Sequence, residues 1–134
     1  MVSFAIAYGV ALAVQAGLDF IWLSLAAGPI YHRALGAVMA ETLNWPAATA
    51  FYLMYGVGVV LFAVRPALIS GEWRTALLWG ALFGLFAYGT YDFTNLATLK
   101  IWSLKVSLID IGWGAFLTAT SAGASAGIAL ALRK

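Results

Sequence analysis

The sequence specifies an all-α membrane protein: a bundle of four transmembrane helices, with an amphipathic surface segment between helices 1 and 2. Three observations predict it. Of 134 residues, 64% are apolar and 9% charged, whereas a soluble domain is typically about a quarter charged; the mean hydropathy is +0.96. Four apolar runs each reach the ~20 residues needed to cross hydrocarbon. Each run is bounded by its own charge or helix-breaking signal. Lipid offers the backbone no hydrogen-bond partner, so only helices or a closed barrel can span it. Runs this long lack the alternating pattern of roughly ten-residue barrel strands.

The first span covers about residues 3–27, interrupted by Gln15 and Asp19, with Gly28-Pro29 as its expected end. Met1-Val2-Ser3 leads straight into apolar sequence, without a basic stretch or a cleavage site, so this segment is expected to be retained as a span. Between Pro29 and Trp45, the residues Ile30, Tyr31, Ala34, Leu35, Val38, Met39 and Thr42 recur at helical spacing. His32, Arg33, Glu41 and Asn44 lie off that stripe, the pattern of a helix on the membrane surface. The second span, about 46–64, carries no charge and is expected to stop at Arg65-Pro66. The third, about 74–99, contains Asp92; the fourth, about 106–132, contains Asp110 and ends on Arg133-Lys134. Links around Gly71 and Trp102 are short, so consecutive helices are expected to be antiparallel neighbours. Residues 1–134 thus read as a single transmembrane domain.

Composition also excludes chemistry. Without cysteine there is no disulfide, thiolate metal site or cysteine nucleophile. A net charge of +2, scattered along the chain, gives no nucleic-acid surface. His32 is the one histidine, a poor metal ligand set by itself, so no metal is expected. No Ser-His-Asp arrangement, phosphate loop or di-His motif occurs, so no cofactor and no catalytic set are expected. Arg65, Arg74, Arg133 and Lys134 fall on the side of both termini, against Arg33, Lys100 and Lys105 on the other. The bias of basic residues toward the cytoplasm therefore favours cytoplasmic termini.

The candidate chemistry lies in three aspartates. A carboxylate at the centre of a membrane helix costs about 2.5–3.5 kcal/mol on insertion scales, so each needs a protein partner, a water-filled cavity or a proton. Asp19 falls late in the first span, Asp92 late in the third and Asp110 early in the fourth. Helices 1 and 3 run one way and helix 4 runs back, so all three acids lie toward the membrane face carrying the Pro29–Trp45 link. Each belongs to a polar stripe at one-face spacing: Tyr8, Gln15, Asp19 and Trp22; Gly84, Tyr88, Asp92 and Asn95, with Tyr91 and Thr98 alongside; and Ser107, Asp110, Gly114, Thr118, Ser121 and Ser125. Helix 2 adds Thr49, Tyr52 and Tyr55.

Two readings follow. Three carboxylates in one pocket cannot all stay charged, and such groups can carry a proton or bind a cation or an amine. Alternatively the acids are interhelical glue, hydrogen-bonded to Trp, Tyr, Asn and Thr. Gly80-x-x-x-Gly84 and Gly123-x-x-x-Gly127 are close-packing motifs that would build either the bundle or a homodimer. Trp45, Trp73 and Trp102 read as interfacial anchors, and Tyr31, Arg33, Lys100 and Lys105 as surface or lipid-headgroup contacts. Asp-x-x-Trp occurs twice, at Asp19/Trp22 and Asp110/Trp113, by duplication or by chance.

Several stretches carry a resemblance. Asp19-Phe20-Ile21-Trp22-Leu23, Pro29-Ile30-Tyr31-His32-Arg33, Phe51-Tyr52-Leu53-Met54-Tyr55-Gly56, the run from Ala87 to Lys100, and Asp110-Ile111-Gly112-Trp113-Gly114 resemble successive blocks of the bacterial DUF2177 family of predicted membrane proteins. Where that family often has Gly, this chain has Ile101. The resemblance covers nearly the whole chain and implies a multi-pass protein of the bacterial inner membrane. It implies that Asp19, Trp22, Tyr31, Asp92, Thr94, Asn95, Asp110 and Trp113 occupy the family's motif positions. It implies no reaction and no ligand.

The function expected is binding, with transport as its extension, of a small polar or cationic solute or a proton. Asp92 and Asp110 would carry the charge, Asp19, Trp22 and Trp113 would share the pocket, and Asn95, Thr94, Tyr88 and Thr118 would orient the ligand. Four helices are few for an alternating-access carrier, so a homodimer is the corollary. The alternatives are a membrane-embedded enzyme acting on a lipid or prenyl substrate, and a noncatalytic assembly or sensory protein.

Overall fold

The computed structural model describes residues 2–133, and every regular element among them is helical. Four long helices form the bundle: α1 (Val2–Ala26), α2 (Trp45–Val59), α3 (Arg74–Thr98) and α4 (Leu104–Ala131). Three stretches, Ser3–Val38, Trp45–Ser70 and Leu104–Ala131, are long and apolar enough to cross a membrane. At 25 residues α3 matches α1 in length. Its Arg74, Thr90, Asp92, Thr94, Asn95 and Thr98 make it less apolar, and all but Arg74 cluster at the end that the acids share.

Helix α4 is the central element, packed chiefly against α3 and then α1. The α3–α4 seam is close because small residues line it. A Cβ on Gly80 would stand 2.8 Å from the Thr118 carbonyl oxygen and 2.9 Å from the Ala122 Cβ. One on Gly84 would run into the Gly114 carbonyl, and one on Gly114 into the Tyr88 ring. Between membrane helices, where lipid is as apolar as the protein, association rests on this close contact. Gly80-x-x-x-Gly84 therefore builds the bundle. The second motif is only half used: Gly123 abuts Leu77, while nothing lies within 4 Å of a Cβ at Gly127.

Toward the termini the interior is apolar. Ala7 and Ala11 of α1 meet Val59, Ala63, Val64 and Ala67, with Ala76, Ala122, Ala126 and Ala129 from the other two helices. Arg133 closes that end, donating from Nη1 to the Leu68 carbonyl at 3.1 Å and from Nε to Ser3 Oγ at 3.3 Å.

Two helix ends differ from expectation. The first helix does not stop at Gly28-Pro29, but passes through a wide π-type turn (Ala27–His32) into Arg33–Leu35 and a 3-10 turn (Gly36–Val38). The second passes Arg65-Pro66 in the same way, through a π-type turn (Val60–Val64) into Arg65–Ser70. Proline cannot donate a backbone hydrogen bond, and its ring clashes with the carbonyl four residues earlier. A locally widened turn lets the chain stay helical across or beside it.

The remaining ends carry ordinary caps. Asn44 accepts from Ala47 N at 3.1 Å, with Pro46 in the first turn, and Ser103 accepts from Val106 N at 3.3 Å. Gly71 ends the second helical stretch with φ +73°. A side chain in that left-handed conformation costs about 1–2 kcal/mol. Gly71→Ala is thus expected to lower the thermal midpoint in detergent. Gly17→Ala, on a helix with nothing within 4 Å of the new Cβ, should leave it unchanged or raise it.

Candidate functional site

Helices α1, α3 and α4 and the segment after α1 line a half-open cavity of about 410 Å³ at the end of the bundle away from the termini. Asp19, Asp92 and Asp110 all line it. Its other walls are aromatic, from Trp22, Tyr31, Tyr88, Tyr91, Trp102 and Trp113. Leu35, Val38 and Met39 also line it, so the apolar stripe of the surface segment faces the cavity, with His32 and Arg33 exposed.

The three carboxylates are held differently. Asp19 is 8% exposed and has a donor on each oxygen: Trp113 Nε1 donates to Oδ1 at 2.9 Å and the Tyr52 hydroxyl to Oδ2 at 2.6 Å. Asp110 Oδ1 accepts from the Tyr31 hydroxyl, which in turn accepts from Trp22 Nε1 at 3.0 Å. The two Asp-x-x-Trp units are therefore crossed. The Trp of the α4 unit serves the Asp of the α1 unit directly, and the Trp of the α1 unit serves the Asp of the α4 unit through Tyr31. The two indoles stack at 4.6 Å between centroids, 9° from parallel.

Asp92 stands apart. It is 1% exposed, and neither carboxylate oxygen has a hydrogen-bond partner among the described residues. It faces Asp110, Ser107 and Trp102. The nearby indole N–H is already used, since Trp102 Nε1 donates to Ser107 Oγ at 3.0 Å. A buried carboxylate without partners is unfavourable by several kcal/mol if charged; such groups call for a proton or a ligand. Although three acids share the cavity, no group of three among the described residues is arranged to hold a metal ion.

The other candidates are distributed as follows. Tyr88 lines the cavity and packs its ring over Gly114. Thr94 does not face it: two residues on from Asp92 it lies about 200° round the helix, exposed, its hydroxyl bonded back to the Thr90 carbonyl. Asn95 is half-buried and outside the lining. Thr118 lies two turns below Asp110, buried, with its hydroxyl 2.8 Å from that of Tyr55. The orienting role expected of Thr94, Asn95 and Thr118 therefore has no place in the cavity wall. Arg33 and Lys105 border a separate groove of about 170 Å³ with Pro29 and Ser103. Lys100 is exposed and lines neither.

Trp102, expected as an interfacial anchor, instead has its half-buried ring in the cavity wall. Tyr52 is a partner of Asp19 that its position on helix 2 does not reveal, since nothing in its spacing ties it to that residue.

The sequence profile of a family of predicted membrane proteins, DUF2177, matches residues 4–127. The chain belongs to the DUF2177 family. No curated protein and no solved structure matches it. The matched segment takes in all three aspartates and both stacked tryptophans of this DUF2177 protein.

Removing one donor to Asp19 should be felt in the fold. Trp113→Phe keeps a ring on Trp22 but strips Oδ1 of its partner, at a cost of about 1–3 kcal/mol. A lower midpoint of detergent unfolding would register it, with Trp79→Phe, on an exposed side chain, as the unaffected control.

Proposed function

We propose that this membrane protein binds a small organic cation, an amine or quaternary ammonium, in the cavity between α1, α3 and α4. The observation that carries the reading is Asp92: a carboxylate with no protein partner, beside a second carboxylate, in a box of tryptophan and tyrosine rings. Aromatic faces attract cations, most strongly where water is excluded, and a nearby carboxylate supplies the countercharge. Asp19, already satisfied by Trp113 and Tyr52, is a fixed wall. Asp92 and Asp110 are the acceptors of charge, and the same pair could exchange a proton for the cation. Tyr31, Tyr88, Trp22 and Trp113 position the ligand.

Transport of the bound solute or of a proton is the extension of this reading. A bacterial inner-membrane location with both termini cytoplasmic fits the distribution of basic residues. Open space at Gly127 leaves room for a second copy. Arg33 and Lys105, on their own groove, suit lipid phosphates at the membrane surface.

Trp22, Trp102 and Trp113 line the cavity, so intrinsic fluorescence reports its occupancy. Tetramethylammonium titrated into protein in lipid nanodiscs is expected to change the emission saturably. The neutral isostere 3,3-dimethylbutan-1-ol is expected to do nothing over the same range. An equal response to both, or no saturable response, would sink the proposal. Turnover of a lipid by the purified protein would favour the enzyme reading instead.

A further inference from the structure

A second cavity, of about 500 Å³, lies between α2 and α3. Its own walls are apolar, from Phe51, Met54, Phe83 and Ala87. It shares Tyr88, Tyr91 and Asp110 with the acid-lined cavity. The two spaces are therefore neighbours, with a pair of tyrosine rings and one carboxylate between them. Its outer rim is exposed: Met54 is 69% and Tyr91 56% accessible on the lateral surface of the bundle. In a bilayer that surface faces acyl chains, so the slot opens sideways into lipid and not into water. Beneath it, the Tyr55 hydroxyl is occupied by Thr118 at 2.8 Å, so the slot's remaining polar groups, Tyr88, Tyr91 and Asp110, are those it shares with the acid-lined cavity.

An acid-lined chamber beside an apolar slot, parted only by side chains, matches a molecule with one charged and one apolar end. We propose that the ligand of this protein is a cationic amphiphile, with its ammonium head among Asp92, Asp110 and the tryptophans and its alkyl chain in the slot between α2 and α3. The inference rests on the cation-binding reading above and adds to it the class of ligand and its route. An amphiphile partitioned in the bilayer reaches the slot sideways, tail alongside the lipid chains, and its head then enters past Tyr88 and Tyr91. Such a ligand need never cross the segment from Ala27 to Val38 that covers the cavity's outer end. A short cation lacks the tail and engages the chamber alone.

The test is photolabelling in nanodiscs with a long-chain alkyltrimethylammonium carrying a diazirine partway along the chain. Labels are expected on peptides of α2 and α3 that contain Met54, Phe83 and Ala87. Excess tetramethylammonium should reduce that labelling at least tenfold, because the two heads compete for one chamber. Ala87→Leu, which fills the slot, should reduce it while leaving the fluorescence response to tetramethylammonium intact; Met54→Trp, at the exposed rim, serves where the first variant folds poorly. Labelling spread over all lipid-facing surfaces and indifferent to tetramethylammonium would overturn the amphiphile proposal. If tetramethylammonium still binds saturably in that case, the cation-binding reading stands without it. If tetramethylammonium does not bind at all, the reading beneath has failed as well.

Discussion

Asp92→Asn is expected to weaken tetramethylammonium binding by about 10²–10³-fold, while the empty protein remains as stable as before or becomes more so. At an effective dielectric constant of about 20, a carboxylate 4 Å from a cation contributes about 4 kcal/mol, or on the order of 10³ in affinity. Asp110 retains part of the attraction, hence the lower end of the range. The stability half of the prediction comes from the orphaned oxygens of Asp92. Substitution breaks no hydrogen bond present in the structure, and the variant no longer buries a carboxylate beside that of Asp110. Binding sites often hold such strain, and relieving it commonly stabilises. Fluorescence titration and a thermal melt on the same sample check both halves. A variant that binds tetramethylammonium normally but melts earlier would mean that Asp92 is helix glue and not the countercharge of the cation.

The second large effect is structural. Gly84→Leu is expected to destabilise the bundle by about 3 kcal/mol or more and to abolish cation binding with it. Overpacking a well-filled interior ordinarily costs about 1–3 kcal/mol. Here the new side chain meets the Gly114 carbonyl, a piece of helix backbone, with Thr118 Oγ1 only 2.7 Å from its Cβ. A flexible side chain could turn aside, but a backbone carbonyl in mid-helix cannot. Helices α3 and α4 must therefore separate, carrying Tyr88 and Asp92 away from Asp110. Gly89→Leu, on the same helix with nothing within 4 Å of its Cβ, is the control. Equal unfolding curves for the two variants would show that the seam is not the tight contact described.

Much of this arrangement is legible in the sequence. Helical rods follow from hydrocarbon thickness and from the lack of any other way to satisfy the backbone in lipid. The placement of Asp19, Asp92 and Asp110 at one end follows from chain direction once four antiparallel rods are assumed. The rest depends on rotation about each helix axis, which one-dimensional spacing fixes poorly in a chain apolar on most faces. Thr94 sits two residues from Asp92, yet it turns away because each residue advances about 100°; Asn95 shares the face of Asp92 but lies half-buried beyond the cavity lining. Tyr52 reaches Asp19 and Trp102 joins the cavity through packing between elements distant in the chain. The slot between α2 and α3 is made from ordinary apolar residues, and only their shared border with Tyr88, Tyr91 and Asp110 marks it out. Proline gives a clear stop signal at Pro29 and Pro66, but a widened turn overrides it in both places.

Those widened turns bear on how the chain tolerates changes of length. A π-type turn encloses one more residue per hydrogen-bonded loop than an α turn. It behaves as an α-helix with one residue inserted and the surplus confined to a single loop. Deleting one residue within Val60–Val64 can therefore be absorbed by tightening that turn, with Tyr52 and Tyr55 on one side and Arg65–Ser70 on the other keeping their facings. The same deletion at Met54 offers no surplus to take up. It would swing every later residue of the helix by about 100°, and the apolar face that meets Ala7 and Ala11 would turn outward. The second helix thus has one place where its genetic reading frame can lose a codon and its packing frame stays intact.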